Sequence, residues 1–281
     1  MRTRNLMQLK SFVKDRAVEL GVAQRDLLYN YYMECFVNRL AHSKYSNSFV
    51  LKGGFLISSM MGLDRRTTMD LDSTVKNLPL NAKDIAPVLN EICSVEVDDD
   101  FTFSLDHLEL IREDAEYQGQ RAFFCIDYGK MRGSFTMDIT TGDSIYPAVT
   151  EAFFKKHFET GFIKTLAYPI ENILAEKMET IITRRDVNTR PRDFYDVHIL
   201  TNTVKFDKAT FQQALLKTAE HRGTLSIIKN ETTERLAIIE NSDDVKRQWA
   251  RYQTKFPYAK KVSFDDTIKS VRDLVDISDK A

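Results

Sequence analysis

The sequence predicts an α+β protein: a mixed β-sheet flanked by N-terminal helices and a C-terminal helical domain. Two patterns carry that reading. Apolar residues recur at helical spacing near the N-terminus and again from residue 169 onward, whereas runs between residues 48 and 140 read as strands. With 281 residues, 43% of them hydrophobic, the chain can form one large or two modest domains. The change of character places a boundary between residues 1–165, helices plus sheet, and residues 166–281, helical.

In chain order, Met7, Leu9, Phe12, Val13, Ala17 and Leu20 form one helical stripe, and Leu27, Leu28, Tyr31, Tyr32, Phe36 and Leu40 form a second. "SFVL" (Ser48 to Leu51) is a short strand that runs into Gly53-Gly54. "TTMDLDST" alternates, with Met69 and Leu71 on one face and Asp70 and Asp72 on the other. "FTFSL", "LELI", "RAFFCIDY" and "GSFTMDIT" continue the strands, and the last sets Phe135, Met137 and Ile139 against Thr136, Asp138 and Thr140. Pro169 suits a first helical turn. After it, Ile170, Ile173, Leu174, Met178, Ile181 and Ile182 form one stripe, and the remainder is helical, with Ser263 and Asp266 as a capping box.

Composition excludes several classes of function. Lys and Arg number 40 against 41 Asp and Glu, so contact with a polyanion must come from local basic clusters, not from net charge. Cys35, Cys93 and Cys125 are scattered, without zinc spacing or a disulfide framework, as in a reduced intracellular protein. The basic opening "MRTRNLMQLKSFVKDR" lacks the apolar core of a signal peptide. No run reaches the roughly 18 apolar residues of a membrane span. A soluble, cytoplasmic protein with no membrane partner is expected. The five histidines are far apart and show no triad or zinc spacing.

The residues suited to chemistry lie in and after "LKGGFLISSMMGLDRRTTMDLDST". Gly53 and Gly54, between a strand and an apolar run, let the backbone turn tightly, and the following helix N-terminus would present N–H groups to an anion. A lone Gly-Gly is more often a plain strand-to-helix turn. Asp70 and Asp72 share a strand face about 7 Å apart, a placement that suits an oxygen-liganded divalent cation; alone, the pair is as readily a solvated strand face. Asp138, from a second alternating strand, would complete a two-metal site.

With these residues in order, "KGGFLISSMMGLDRRTTMDLD" resembles motif I of the polymerase-β-type nucleotidyltransferases, and specifically of the AbiEii/AbiGii toxin family. "FTMDITTGDSIYP" resembles the second motif; "AEKMETIITR" and "RPRDFYDVHIL" resemble the third and fourth. The similarity spans roughly residues 20 to 200. It departs from many superfamily members in having Gly-Gly where they have Gly-Ser, and in a longer interval from Gly54 to Asp70.

The resemblance implies a polymerase-β-like core and a toxin of a bacterial type IV toxin–antitoxin (abortive-infection, phage-defence) system. It would move a nucleoside monophosphate from an NTP (GTP, or CTP/UTP) to an acceptor such as the tRNA 3′ end or another RNA. Its partner would be an AbiEi-type antitoxin from the same operon. Asp70, Asp72 and Asp138 would hold Mg²⁺ (or Mn²⁺), with Lys177 and Asp193 also catalytic. Gly53, Gly54, Arg66, Thr68, Lys177 and Arg184 would bind the nucleotide, with Thr68, and Arg66 in phase with it, on the strand face of the aspartates. Asp196 is read as a cap or ion-pair partner, and Arg184, Arg185, Arg190 and Arg192 as a place for an RNA backbone. Two other readings compete: a non-catalytic nucleotide (GTP)-binding module, and a kinase-type phosphotransferase.

Overall fold

The structure, a computed structural model, describes residues 6–111 and 119–278; the first five residues of the basic opening lie outside that range. The contacts divide the chain into two units. One comprises residues up to Asp143 together with Thr150–Ala167; the other comprises Ser144–Val149 and the chain from Tyr168 onward.

In the first unit, helices α1 (Leu6–Leu20) and α2 (Gln24–His42) follow the two N-terminal stripes. Strand β1 (Phe49–Lys52) leads directly into helix α3 (Gly53–Met61), and a loop returns the chain to β2 (Asp70–Val75). Helix α4 (Ala82–Cys93) precedes a meander of β3 (Thr102–Ile111), β4 (Gly119–Tyr128) and β5 (Met131–Thr140). "FTFSL" and "LELI" prove to be one strand, interrupted by an irregularity between Leu105 and His107. A further hairpin, β6 (Thr150–Lys155) and β7 (Phe162–Ala167), joins the sheet, although no alternation between residues 140 and 168 announced it.

The seven strands form one mixed sheet in the order β3-β4-β5-β2-β1-β7-β6. The β2–β5 and β1–β7 pairs are parallel and the others antiparallel. Strand alternation gives the sheet two unlike faces. Phe49, Leu51, Leu71, Phe103, Phe124, Phe135, Met137 and Ile139 are buried on one. Against it lies α2, whose Phe36 ring centroid is 4.6 Å from that of Phe124, 5.3 Å from Phe135 and 6.1 Å from Phe103. This aromatic wedge fixes which face turns inward, so Asp72 and Asp138, in the alternate positions, must turn to the other.

In the second unit, α5 (Ile170–Arg184) follows Pro169, and a 3₁₀ turn (Arg185–Val187) links it to α6 (Pro191–Thr203). Helices α7 (Lys208–His221), α8 (Leu225–Asn230), α9 (Thr232–Asn241), α10 (Asp243–Lys255) and α11 (Phe264–Ser278) complete it. Ser263 and Asp266 form the expected reciprocal cap: the Asp266 N–H donates to Ser263 Oγ at 3.0 Å, and the Ser263 N–H to Asp266 Oδ2 at 2.9 Å. Among the described residues, no helix is long and apolar enough to cross a membrane.

Because Phe36 is fully buried in the aromatic cluster, Phe36→Ala is expected to cost about 3–5 kcal/mol. Urea denaturation of the first unit's signal measures it, and a loss below about 1 kcal/mol would remove Phe36 from the centre of the core.

Candidate active site

Strand register sets a row of charge across the face of the sheet opposite α2. Arg121 of β4 pairs with Asp138 of β5, Asp138 lies beside Asp72 of β2, and Asp72 pairs with Lys52 of β1. Residues paired across a ladder share a face, so four strands present cation, carboxylate, carboxylate, cation. Adjacent strands lie about 4.8 Å apart, and two carboxylates so placed repel each other. The flanking cations offset that repulsion.

Each cation is held in a defined way. Arg121 grips Asp138 bidentately, Nε to Oδ1 at 2.6 Å and Nη2 to Oδ2 at 2.7 Å. The hydrogen bonds from Arg121 to Asp138 outweigh partial burial and, with the nearby charges of Asp70 and Glu109, raise the guanidinium's pKa further. Lys52 is buried, and its Nζ donates to Thr140 Oγ1 at 2.7 Å and pairs with Asp143. Thr140 Oγ1 also donates to Asp143 Oδ2 at 2.5 Å. Burial alone would raise the Asp143 carboxyl, but Lys52 and these hydrogen bonds hold it well below the usual carboxylate range.

The Gly-Gly turn lies against the same row. Gly53 has φ +65°, and a Cβ there would stand 2.1 Å from Asp72 Oδ2. Glycine is needed both for the left-handed backbone and for room beside the carboxylate. A Cβ at Gly54 would meet Thr68 Oγ1 at 2.6 Å and Arg66 Nη2 at 3.4 Å. The first unit therefore brings Gly53, Gly54, Arg66, Thr68 and Asp72 together at the start of α3, beside Asp138, with Asp70 two residues earlier on the β2 face.

One expectation is corrected. Arg66 and Thr68 are not in strand phase with the aspartates, because β2 begins only at Asp70. Residues 66–69 are shaped by side-chain hydrogen bonds in place of a ladder. Arg66 donates to the Thr67 carbonyl, the Asp70 N–H meets Thr68 Oγ1 at 3.3 Å, and Asn30 Nδ2 of α2 donates to the Thr68 carbonyl at 2.9 Å. Arg66, Thr67 and Thr68 are all buried.

Within the second unit lies a buried ion cluster. Lys177 of α5 places Nζ 2.5 Å from Asp193 Oδ1 and 3.0 Å from Asp196 Oδ2, one turn apart on α6. Arg190 Nε lies 2.8 Å from Asp193 Oδ2. Burial would lower the Lys177 pKa, but Asp193 and then Asp196 outweigh it and raise it. Asp196 is thus an ion-pair partner of Lys177. Arg184 is exposed in the last turn of α5.

The sequence reading passed over Arg121, Lys52 and Asp143. Lys52 directly precedes Gly-Gly, and Asp143 closes "TTGD", yet only register shows what each cation faces. Among the described residues, no three His, Cys, Asp or Glu side chains are gathered into a ready-made metal cage.

A sheet with two strand aspartates side by side, a glycine turn pressed against one of them and a helical second unit is the arrangement of a nucleotidyltransferase. A family model, "Nucleotidyl transferase AbiEii toxin, Type IV TA system", matches residues 35–275. The chain belongs to that family. A crystal structure of a candidate nucleotidyltransferase from H. pylori shares the fold at TM-score 0.50 and 15% identity, over 92% of this chain and 96% of that one. JHP933 from Helicobacter pylori matches at TM-score 0.49 and 15% identity, over 92% and 93%. An antigenic nucleotidyltransferase-like protein from Paracoccidioides brasiliensis matches at 0.32 and 13%, over 83% and 90%. No curated protein matches.

Gly53→Ala is expected to cost at least about 1–2 kcal/mol from the left-handed backbone alone, with the Asp72 clash added; an unchanged urea midpoint would show that the turn relaxes freely. The Asp143 pKa is lower in the folded state than the unfolded value of about 3.9, so its stabilisation is present above about pH 4 and is lost as pH falls through the folded value. The stability gap between wild type and Asp143→Asn should therefore be flat from about pH 6 to about pH 5 and narrow as pH falls from about 4 to 2. A constant gap would mean that the Lys52 pair does not titrate as described.

Proposed function

We propose that the protein transfers a nucleoside monophosphate from an NTP to a hydroxyl of an RNA acceptor, such as the tRNA 3′ end, releasing pyrophosphate. The observation that carries this reading is the adjacency of Asp72 and Asp138 on neighbouring strands, with the Gly53 turn packed against Asp72. In this reaction the acceptor oxygen bonds to the α-phosphorus, the bond to the pyrophosphate oxygen breaks, and the acceptor proton leaves.

The residues present fit a divalent cation in donor chemistry. Mg²⁺ is usually held by one or two carboxylates with substrate phosphates filling other positions, and Asp72 and Asp138 supply that pair, with Asp70 nearby on the same face. Arg121 holds both oxygens of Asp138, so a metal ion would share or displace that pair. Such an ion, when bound, would neutralise phosphate charge and ease deprotonation of the acceptor hydroxyl.

The chain's own groups orient the substrate. The N–H groups at the start of α3 would be presented to a phosphate with the helix dipole behind them. Gly53 and Gly54 leave room for a phosphate's close approach, and Arg66 and Thr68 border that space. Asp138 is the group suited to orient the acceptor hydroxyl and receive its proton. The assignment of Lys177, Asp193 and Arg184 to the nucleotide rests on the motif resemblance. As a family member the protein is the toxin of a type IV pair, and we take its partner to be an AbiEi-type antitoxin and its place of action the cytoplasm.

The decisive experiment incubates the protein with α- or γ-labelled NTPs, Mg²⁺ and total RNA. Label should pass to RNA from the α position and not the γ position, which separates nucleotidyl transfer from a kinase-type reaction. Asp72→Asn and Asp138→Asn should each lower transfer by ~100-fold or more with an unchanged circular dichroism spectrum. Folded wild-type protein that labels nothing with any of the four NTPs would sink the proposal. Full toxicity of both variants in cells would favour a binding module.

A further inference from the structure

We propose that the exposed face of α10 and the turn after it is a docking surface for the phosphodiester backbone of RNA. This rests on the nucleotidyltransferase reading only in taking RNA as the polyanion. The charge itself is independent of that reading. Residues 245–264 contain Lys246, Arg247, Arg251, Lys255, Lys260 and Lys261 and not one Asp or Glu, in a chain whose net charge is −1. All six are exposed.

The usual reason for such a run is a solvated helix face; what sets this one apart is six exposed cations with no intervening carboxylate, whereas several exposed cations elsewhere are neutralised locally. Arg16, Lys44, Arg132, Lys164, Arg235 and Arg272 each sit within ion-pair distance of a carboxylate. On α10 only Arg247 does, through Asp244 in the first turn. Lys246, Arg251, Lys260 and Lys261 have no carboxylate partner among the described residues.

The helix is anchored so that this face stays outward. Val245, Trp249 and Tyr252 are buried, and the half-buried rings of Phe256 and Tyr258 stack at 5.4 Å to fix the turn that carries Lys260 and Lys261. Arg247, Arg251 and Lys255 recur every four residues, a line of cations about 6 Å apart along the axis. Like charges at that spacing destabilise a helix by themselves, and a polymer bearing one negative charge per repeat relieves the repulsion. The 3₁₀ turn Arg185–Val187 packs against α10; Arg185 there is paired with Asp186 at 2.7 Å, and the exposed Arg184 beside it extends the basic surface. None of the large hydrophobic residues exposed among the described residues belongs to residues 245–264. Within residues 245–264 the surface therefore lacks the apolar centre expected of a protein partner's interface, and the exposed Val187 of the adjoining turn is a single apolar residue at its edge.

Fluorescence anisotropy with a labelled single-stranded RNA of roughly 20 nucleotides, without NTP or divalent cation, tests the surface directly. Wild-type affinity should fall with salt from about 50 to 200 mM, as phosphate contacts require. In a triple variant, Lys246→Glu, Arg251→Glu and Lys260→Glu, affinity should drop at least tenfold, and the log–log salt slope should shrink by about 2, at ~0.7 per lost single-strand contact. The neutral set, Lys246→Gln, Arg251→Gln and Lys260→Gln, guards against misfolding and should give an intermediate loss. In the labelling assay, the variants should raise KM for RNA and leave KM for the NTP unchanged.

Wild-type RNA affinity and slope in both variants would overturn the proposal. So would variants that keep RNA binding while losing the antitoxin. Because binding is measured without NTP, its failure is distinct from the failure of nucleotidyl transfer, which the α-label assay reads alone.

Discussion

The adjacency of Asp72 and Asp138 is the constraint around which the first unit is arranged. Two carboxylates on neighbouring parallel strands are an unfavourable pairing, so something else must enforce it. That is the opposite face of the same strands. Leu71, Phe135 and Met137 are buried, and Phe36 wedges α2 against the Phe124–Phe135 pair. A slip of one residue would turn those apolar groups to solvent and the aspartates into the core. The register that suits the core thus imposes the acidic pair. Arg121 and Lys52, one strand farther out on either side, make it tolerable.

Much of this was legible in the sequence because it is local. Alternation in "TTMDLDST" and "GSFTMDIT" reveals which residues share a face, and Gly-Gly between a strand and an apolar run reveals a turn. Sequence periodicity is silent on which strands are neighbours. Nothing in the residues near Arg121 indicates that it will face Asp138, or that Lys52 will find Asp143, because both pairs depend on non-local register. The β6–β7 hairpin was missed for a related reason: "EAFFKK" and "FIKTLA" mix exposed and buried aromatics, and Phe153 and Phe162 face outward. Arg66 and Thr68 were assigned to the strand by extending the alternation upstream of Asp70. There the backbone is held by Asn30 from a different helix, a contact that periodicity does not encode.

The two units use buried ion pairs for a common purpose. Lys52 with Asp143, and Lys177 with Asp193 and Asp196, are desolvated pairs whose Coulomb attraction is largely spent against the cost of burial. Their value lies in geometry. Lys52 ties the residue before the glycine turn to the end of β5, so the turn and the strand carrying Asp138 are held together. Lys177 ties α5 to α6 at two points one turn apart on α6, which fixes both the spacing and the rotation of that helix. In each case removing one partner leaves a buried charge uncompensated, so either side of the pair is hard to replace.

A net charge of −1 conceals how unevenly the charge is spread. On the sheet, each cation of the central row is held by a carboxylate, Arg121 by Asp138 and Lys52 by Asp143, and Asp72 and Asp70 add negative charge within a few ångströms. A triphosphate approaching it would meet fixed N–H dipoles and a buried arginine, with little long-range pull. On α10 the cations other than Arg247 have no carboxylate partner among the described residues, and their field extends into solvent over about a Debye length, ~8–10 Å at physiological salt. Short-range order and long-range attraction are opposite electrostatic designs. The first suits a small, specific ligand that must be positioned to a fraction of an ångström. The second suits a long polyanion that must be gathered from solution without regard to sequence.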